Sequence, residues 1–227
     1  MMSASARAVI AFVLAFASLP ALAATPDEVF RIASPSVVAI QVLDAGGQLL
    51  ATGSGVVIAP DRVATNCHVV RSPKLPSARV LMVGGGQMFR VATLERGSAN
   101  ADVCILDVRR LKRTPATARA AATLKVGEAV YAIGAPQGLE LSLSGGLVSA
   151  LRSVRGQRYV QTDAAISKGS SGGGLFDREG RLVGITTFTV DDAQNLNFAI
   201  PVERVMEVAG LPSPAARGPA RGGANAN

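Results

Sequence analysis

From Val37 onward the chain is cut into short apolar runs rich in Val, Ile and Leu and closed by glycine, proline or aspartate. They are Val37–Leu43, Gly55–Ala59, Arg79–Val83, Phe89–Leu94, Val103–Val108, Ala129–Ile133, Gly146–Leu151, Tyr159–Thr162, Gly174–Phe176 and Leu182–Val190. This spacing predicts an all-β barrel or sandwich, because no run is long enough to serve the helical crossovers of a βαβ series. About 190 residues of such sequence suit one domain. Short helices are expected only at its ends. One covers Thr25–Ala33, with Thr25 at the N-cap and Pro26 at the first helical position, and Pro35 stops it; the other closes the domain over Pro201–Val208.

Within this strand-rich frame lies Ser167-Lys168-Gly169-Ser170-Ser171-Gly172-Gly173-Gly174, a serine among glycines. A serine hydroxyl becomes a nucleophile only when a base takes its proton and backbone N–H groups hold the oxyanion that follows. Read alone, the stretch fits a nucleophile elbow, a catalytic loop of another kind, or a glycine-rich turn without chemistry. The chain has a single histidine, His68, so any serine–histidine catalyst must use it. His68 lies upstream of Ser171, whereas α/β-hydrolases run Ser, acid, His, and so the elbow reading fails. Between the two, Asp102 heads the apolar run Val103-Cys104-Ile105-Leu106 and is the candidate acid.

Three segments, Thr65-Asn66-Cys67-His68-Val69-Val70, Ala101-Asp102 and Gly169-Ser170-Ser171-Gly172-Gly173, resemble the triad motifs of the HtrA/DegP branch of trypsin-like serine proteases. Gly53-Ser54-Gly55, Ile133-Gly134-Ala135-Pro136 and Asn197-Phe198-Ala199-Ile200-Pro201 add ordered matches across about residues 30 to 207. The resemblance implies two six-stranded β-barrels with the site in the cleft between them. It gives His68 the role of general base, Asp102 that of holding the imidazole, and Ser171 that of nucleophile. The N–H groups of Gly169 and Ser171 would form the oxyanion hole, each donor contributing about 3 to 4 kcal/mol. Thr187 falls where the fold places a hydroxyl against the triad aspartate. Ser170 and Gly174 depart from the usual Asn and Pro or Ala; Gly174 adds backbone freedom that would loosen the loop.

Should His68 meet Asp102, the segments of Cys67 and Cys104 run side by side. In an oxidising compartment a Cys67–Cys104 disulfide would then clamp acid to base, at about 3 to 4 kcal/mol. Two buried free thiols are the alternative. Adjacent Cys67 and His68 with Cys104 lack zinc-ligand spacing, so no metal or cofactor is expected. By the same resemblance Ala165, Ile166 and Lys168 form one wall of the primary specificity pocket and Thr187, Phe188 and Thr189 the other. No acid stands there to select Lys or Arg, so the pocket is expected to take small aliphatic side chains by fit.

Met1–Ala23 carries Arg7, an apolar stretch and Pro20-Ala21-Leu22-Ala23, the form of a signal peptide with its cleavage site. A periplasmic or secreted protein without a membrane anchor after cleavage is therefore expected. Removing Arg7 lowers the formal charge from +7 by one. Aromatic residues are few and no long Lys/Arg run occurs, which sets nucleic acid aside as a partner. The protease domain is expected over 24–210 and a disordered Pro/Ala/Gly/Arg tail over 211–227, with none of the PDZ domains that HtrA proteins carry there. A monomer is the simplest state. A homotrimer is a family-level option, for which Phe30 is the one apolar anchor. Two functions follow from the cleft: a serine endopeptidase acting on unfolded or exposed polypeptides, or a latent or non-catalytic module that binds them.

Overall fold

The computed structural model describes residues 24–215 except 45, 71–76, 83–87, 137–139, 155 and 190–195; for 77–82, 88–89 and 188–189 it describes the backbone alone. The expected signal peptide and residues 216–227 of the tail lie outside the described residues. Helix α1 (Pro26–Ala33) is the first element among the described residues. The Thr25 N–H donates to Glu28 Oε2 (2.8 Å), half of a reciprocal capping box that satisfies donors the first turn leaves orphaned. Val29 and Ala33 are its buried face. Phe30, the expected oligomer anchor, packs half-buried against the chain's own core, while Ile32 is 49% exposed.

Among the described residues twelve strands follow, in two closed barrels. The first is built from β1 (Val37–Leu43), β2 (Leu49–Ala59), β3 (Arg62–Thr65), β4 (Ser77–Met82), β5 (Met88–Ser98) and β6 (Val103–Asp107), in the order β1-β2-β3-β6-β5-β4. A one-turn helix α2 (Cys67–Val70) interrupts it after β3. The second uses β7 (Ala129–Gly134), β8 (Ser142–Val154), β9 (Gln157–Thr162), β10 (Gly174–Asp177), β11 (Leu182–Thr189) and β12 (Asn197–Pro201), in the order β10-β11-β12-β9-β8-β7. Antiparallel β1–β4 and β7–β10 pairings close them, at Ile40↔Val80 and Gly174↔Ile133, so neither barrel has a free edge. The expected pair of barrels is thus present, and the sandwich alternative is not. Strands β3 and β12 were not among the apolar runs; each opens on a polar residue, Arg62 or Asn197, and holds few β-branched ones.

Period-two alternation divides strands β1, β2, β3, β6, β7, β10, β11 and β12 between two cores. Val38, Ile40, Val57, Val63 and Leu106 fill the first barrel, and Val130, Val148, Val160, Leu175 and Val183 fill the second. The opposite faces, with Val37, Val56, Ile105, Ile133, Phe176 and Ile185, meet in a seam between the barrels. Helix α3 (Val202–Ala209) covers this seam with Val202, Val205 and Met206. Gly210 (φ 65°) ends α3, its N–H reaching Glu207 O while that of Leu211 reaches Met206 O, the paired bonds of a Schellman cap. The linker between barrels is pinned by Arg119, which pairs with Glu128 and with the fully buried Asp177 (3.3 Å), itself held by Arg181 (2.7 Å). Burial pushes the Glu128 carboxyl up, but its bonds to Arg119 and the Lys125 N–H outweigh this and leave it below the usual range.

Gly174 is not a loosening device. It is paired on both sides within β10, and a Cβ there would stand 2.2 Å from the Phe176 ring. The missing side chain makes room for Phe176, which is 0% exposed. Gly174→Ala is expected to lower stability by about 1–3 kcal/mol through overpacking, read as a lower urea midpoint with the slope unchanged.

Candidate active site

Asp102 sits in the turn before β6 with φ 53°, a left-handed conformation that aspartate tolerates better than most residues. Its N–H closes the turn on Ala99 O (3.2 Å), and its own carbonyl receives Cys67 N–H (3.3 Å) and Asn66 Nδ2 (3.0 Å). The turn therefore aims the carboxylate at the start of α2. There Oδ1 accepts the His68 N–H (3.0 Å), and Oδ2 lies 2.7 Å from His68 Nδ1. From the second barrel Thr187 Oγ1 donates to the same Oδ2 (3.1 Å). Burial pushes the Asp102 carboxyl up, but the His68 ring, the His68 N–H and the Thr187 hydroxyl outweigh it and hold the carboxyl below its ordinary value. The His68 ring is half exposed, open to whatever enters the cleft.

Ser171 stands on the other side of the seam. Residues Ser167–Ser170 form a turn closed by Ser170 N–H to Ser167 O (2.9 Å), with Gly169 at φ 91° in its third position, the type II geometry that glycine supplies. Gly172 (φ 84°) turns the chain again, where a Cβ would meet Ser54 O at 2.2 Å and Thr65 Oγ1 at 2.3 Å. Between these turns the N–H groups of Gly169 and Ser171 have no acceptor among the described residues. Thr186 Oγ1 steadies the loop by donating to Ser170 O (2.7 Å). The Ser171 hydroxyl donates to Thr187 O (3.0 Å) and not to His68. Thr187 thus touches Asp102 through its hydroxyl and Ser171 through its carbonyl, so one unbroken set of hydrogen bonds joins the three expected residues.

Cys67 and Cys104 are joined by a disulfide (Cα–Cα 4.8 Å), which settles the choice between a bond and free thiols and leaves neither sulfur for a metal. Gly97 lies against it; a Cβ there would be 2.7 Å from Cys104 Sγ. Of the expected pocket walls, Ala165 is exposed with its N–H on Ser144 Oγ (2.9 Å), Ile166 packs against the second-barrel core, and Lys168 is exposed. Phe188 and Thr189 belong to β11, but their side chains lie outside the described ones. Sequence reasoning named the segment Asn197-Phe198-Ala199-Ile200-Pro201 but gave Asn197 no role; its buried Nδ2 donates to Ala164 O (2.9 Å) and anchors the first wall from β12.

Two closed barrels with a histidine–aspartate pair on one and a serine beside free N–H groups on the other define a peptidase-like cleft. Residues 53–185 match the Trypsin-like peptidase domain, and the chain belongs to that family. It is 33% identical over 199 residues to the serine endoprotease DegS of Haemophilus influenzae, covering 78% of this chain and 57% of the relative. It is 34% identical over 174 residues to the periplasmic serine endoprotease DegP of Escherichia coli K12, covering 70% of this chain and 36% of the relative. The crystal structure of the serine endoprotease from Yersinia pestis superposes with a TM-score of 0.74 at 27% identity, over 82% of this chain and 65% of that one. The chain therefore spans little more than half, or less, of the curated relatives' length.

Two outcomes follow from this geometry. Because the folded-state pKa of Asp102 is lowered, its stabilisation is present above the ordinary carboxylate range and is lost as pH falls through the depressed value. The stability difference between wild type and Asp102→Asn should accordingly shrink on acidification, as measured by urea unfolding across pH 7 to 3. Joint replacement Cys67→Ala/Cys104→Ala opens a link across a sequence separation of 37 and should cost about 4 kcal/mol of unfolding free energy.

Proposed function

We propose that this chain is an exported serine endopeptidase, periplasmic or secreted, that hydrolyses peptide bonds of unfolded or exposed polypeptides. The observation that carries the reading is the hydrogen-bond set His68–Asp102–Thr187–Ser171 beside the uncommitted Gly169 and Ser171 N–H groups. Rotation about one side-chain torsion turns the Ser171 hydroxyl from Thr187 O toward the cleft, a step between staggered wells. There His68 takes its proton as Oγ attacks the peptide carbonyl, and the Gly169 and Ser171 N–H groups receive the oxyanion. His68, now cationic and held by Asp102, returns the proton to the leaving amine. Water then repeats the sequence on the acyl-enzyme, its proton going to His68 and on to Ser171 as the acid departs. Relatives that carry the names of serine endoproteases, one of them periplasmic, support both the chemistry and the compartment.

The specificity wall of Ala165, Ile166 and Lys168 carries no carboxylate, which supports a preference for small aliphatic residues on the acyl side of the cut. A second reading rests on one specific observation: the Ser171 hydroxyl is engaged by Thr187 O, as it would be in a latent or peptide-binding form.

A fluorophosphonate probe separates the two. Labelling of Ser171, located by mass spectrometry, that disappears in Ser171→Ala and falls by at least a hundredfold in His68→Ala is the expected result. A folded wild type that stays unlabelled overturns the endopeptidase reading in favour of the latent one.

A further inference from the structure

Ser54, at the middle of β2, is fully buried, and the chemistry above makes no use of its hydroxyl. All its polar atoms are nonetheless committed at one place. Its N–H donates to Ser171 O (2.8 Å), and its carbonyl accepts the Thr65 hydroxyl (2.7 Å). Its Oγ donates to Gly169 O (2.8 Å) and accepts the Ala135 N–H (2.8 Å) from the loop that follows β7. The space around Oγ is closed, since a Cβ on Gly134 would lie 3.0 Å from it.

The two carbonyls that Ser54 holds belong to the same residues whose N–H groups have no acceptor among the described residues. The peptide unit between Gly169 and Ser170 is gripped at both ends, its C=O by Ser54 and its N–H by Ser167 O (2.9 Å). A planar peptide fixed at both ends cannot swing, so the backbone on either side, with the Gly169 and Ser171 N–H groups, is held in one orientation. Resting on the endopeptidase reading, we infer that Ser54 is a positioning residue of the first barrel that sets the oxyanion-binding N–H groups of the second. Its effect falls on the transition state, where charge gathers on the carbonyl oxygen, and not on substrate binding.

The test measures kcat and KM on a fluorogenic peptide, with the fluorophosphonate labelling rate, for wild type, Ser54→Ala and Ser54→Thr, each with its thermal midpoint. Ser54→Ala should lower kcat and the labelling rate by about 10- to 100-fold, the scale of a misplaced catalytic group, with KM within about twofold. Ser54→Thr, which keeps the hydroxyl, should recover at least part of kcat. Should Ser54→Ala fail to fold, Ser54→Cys keeps the volume with a weaker donor, and a loss confined to kcat is expected there too. An active wild type whose Ser54→Ala form is folded with unchanged kcat, or loses kcat and KM alike without rescue by threonine, overturns this inference alone. A wild type that is itself inert overturns the endopeptidase reading and this inference with it.

Discussion

The carboxylate of Asp102 is the point on which the site depends. Its partial burial alone would favour the neutral form. Three donors on two barrels hold it ionised: the His68 ring, the His68 N–H and the Thr187 hydroxyl. The backbone around it is arranged to the same end. The left-handed turn at Asp102 brings its carbonyl under Asn66 and Cys67, so main chain and side chain both grip the segment that presents His68. The Cys67–Cys104 disulfide joins the same two segments covalently, one residue before the histidine and two after the aspartate.

What Asp102 does for the first barrel, the seam does for the pair. Inward faces fill each barrel separately, and outward faces of both merge into one apolar layer that buries Val37, Ile105, Phe176 and Ile185 completely. Polar bonds cross this layer near the site, where Thr187 reaches Asp102 and Ser54 reaches Gly169, Ser171 and Ala135. Apolar burial supplies the attraction between barrels without direction. The crossing hydrogen bonds supply the registration.

Much of this was legible in the residues. Short β-branched runs between turn residues gave the all-β class, and a single histidine upstream of Ser171 narrowed the chemistry to one chain order. The helix ends at Thr25 and Pro35 were written in capping and proline chemistry. The structure adds what depends on distant partners. Ser54 acts on Gly169 across 115 residues, and nothing local to Gly53-Ser54-Gly55 points there. Gly174 reads as freedom in a glycine-rich loop, because the Phe176 ring that excludes a side chain is a fact of packing. Strand β3, Arg62-Val63-Ala64-Thr65, holds too few apolar β-branched residues to stand out, although it carries the pairing Thr65↔Cys104 that leads into α2.

The seam is covered by the first and last helices of the described residues, by Val29 and Ala33 of α1 and by Val205 and Met206 of α3. The last of these helices to be synthesised follows every strand of both barrels. Contacts of such long sequence separation have to overcome loop-closure entropy before they form, and the site straddles the layer they complete. A chain that has not yet been extended to residue 171 has no serine to set beside His68 and Asp102. Under the proposed activity, the time when this polypeptide is itself an unfolded substrate is also the time when it has no finished cleft with which to cut.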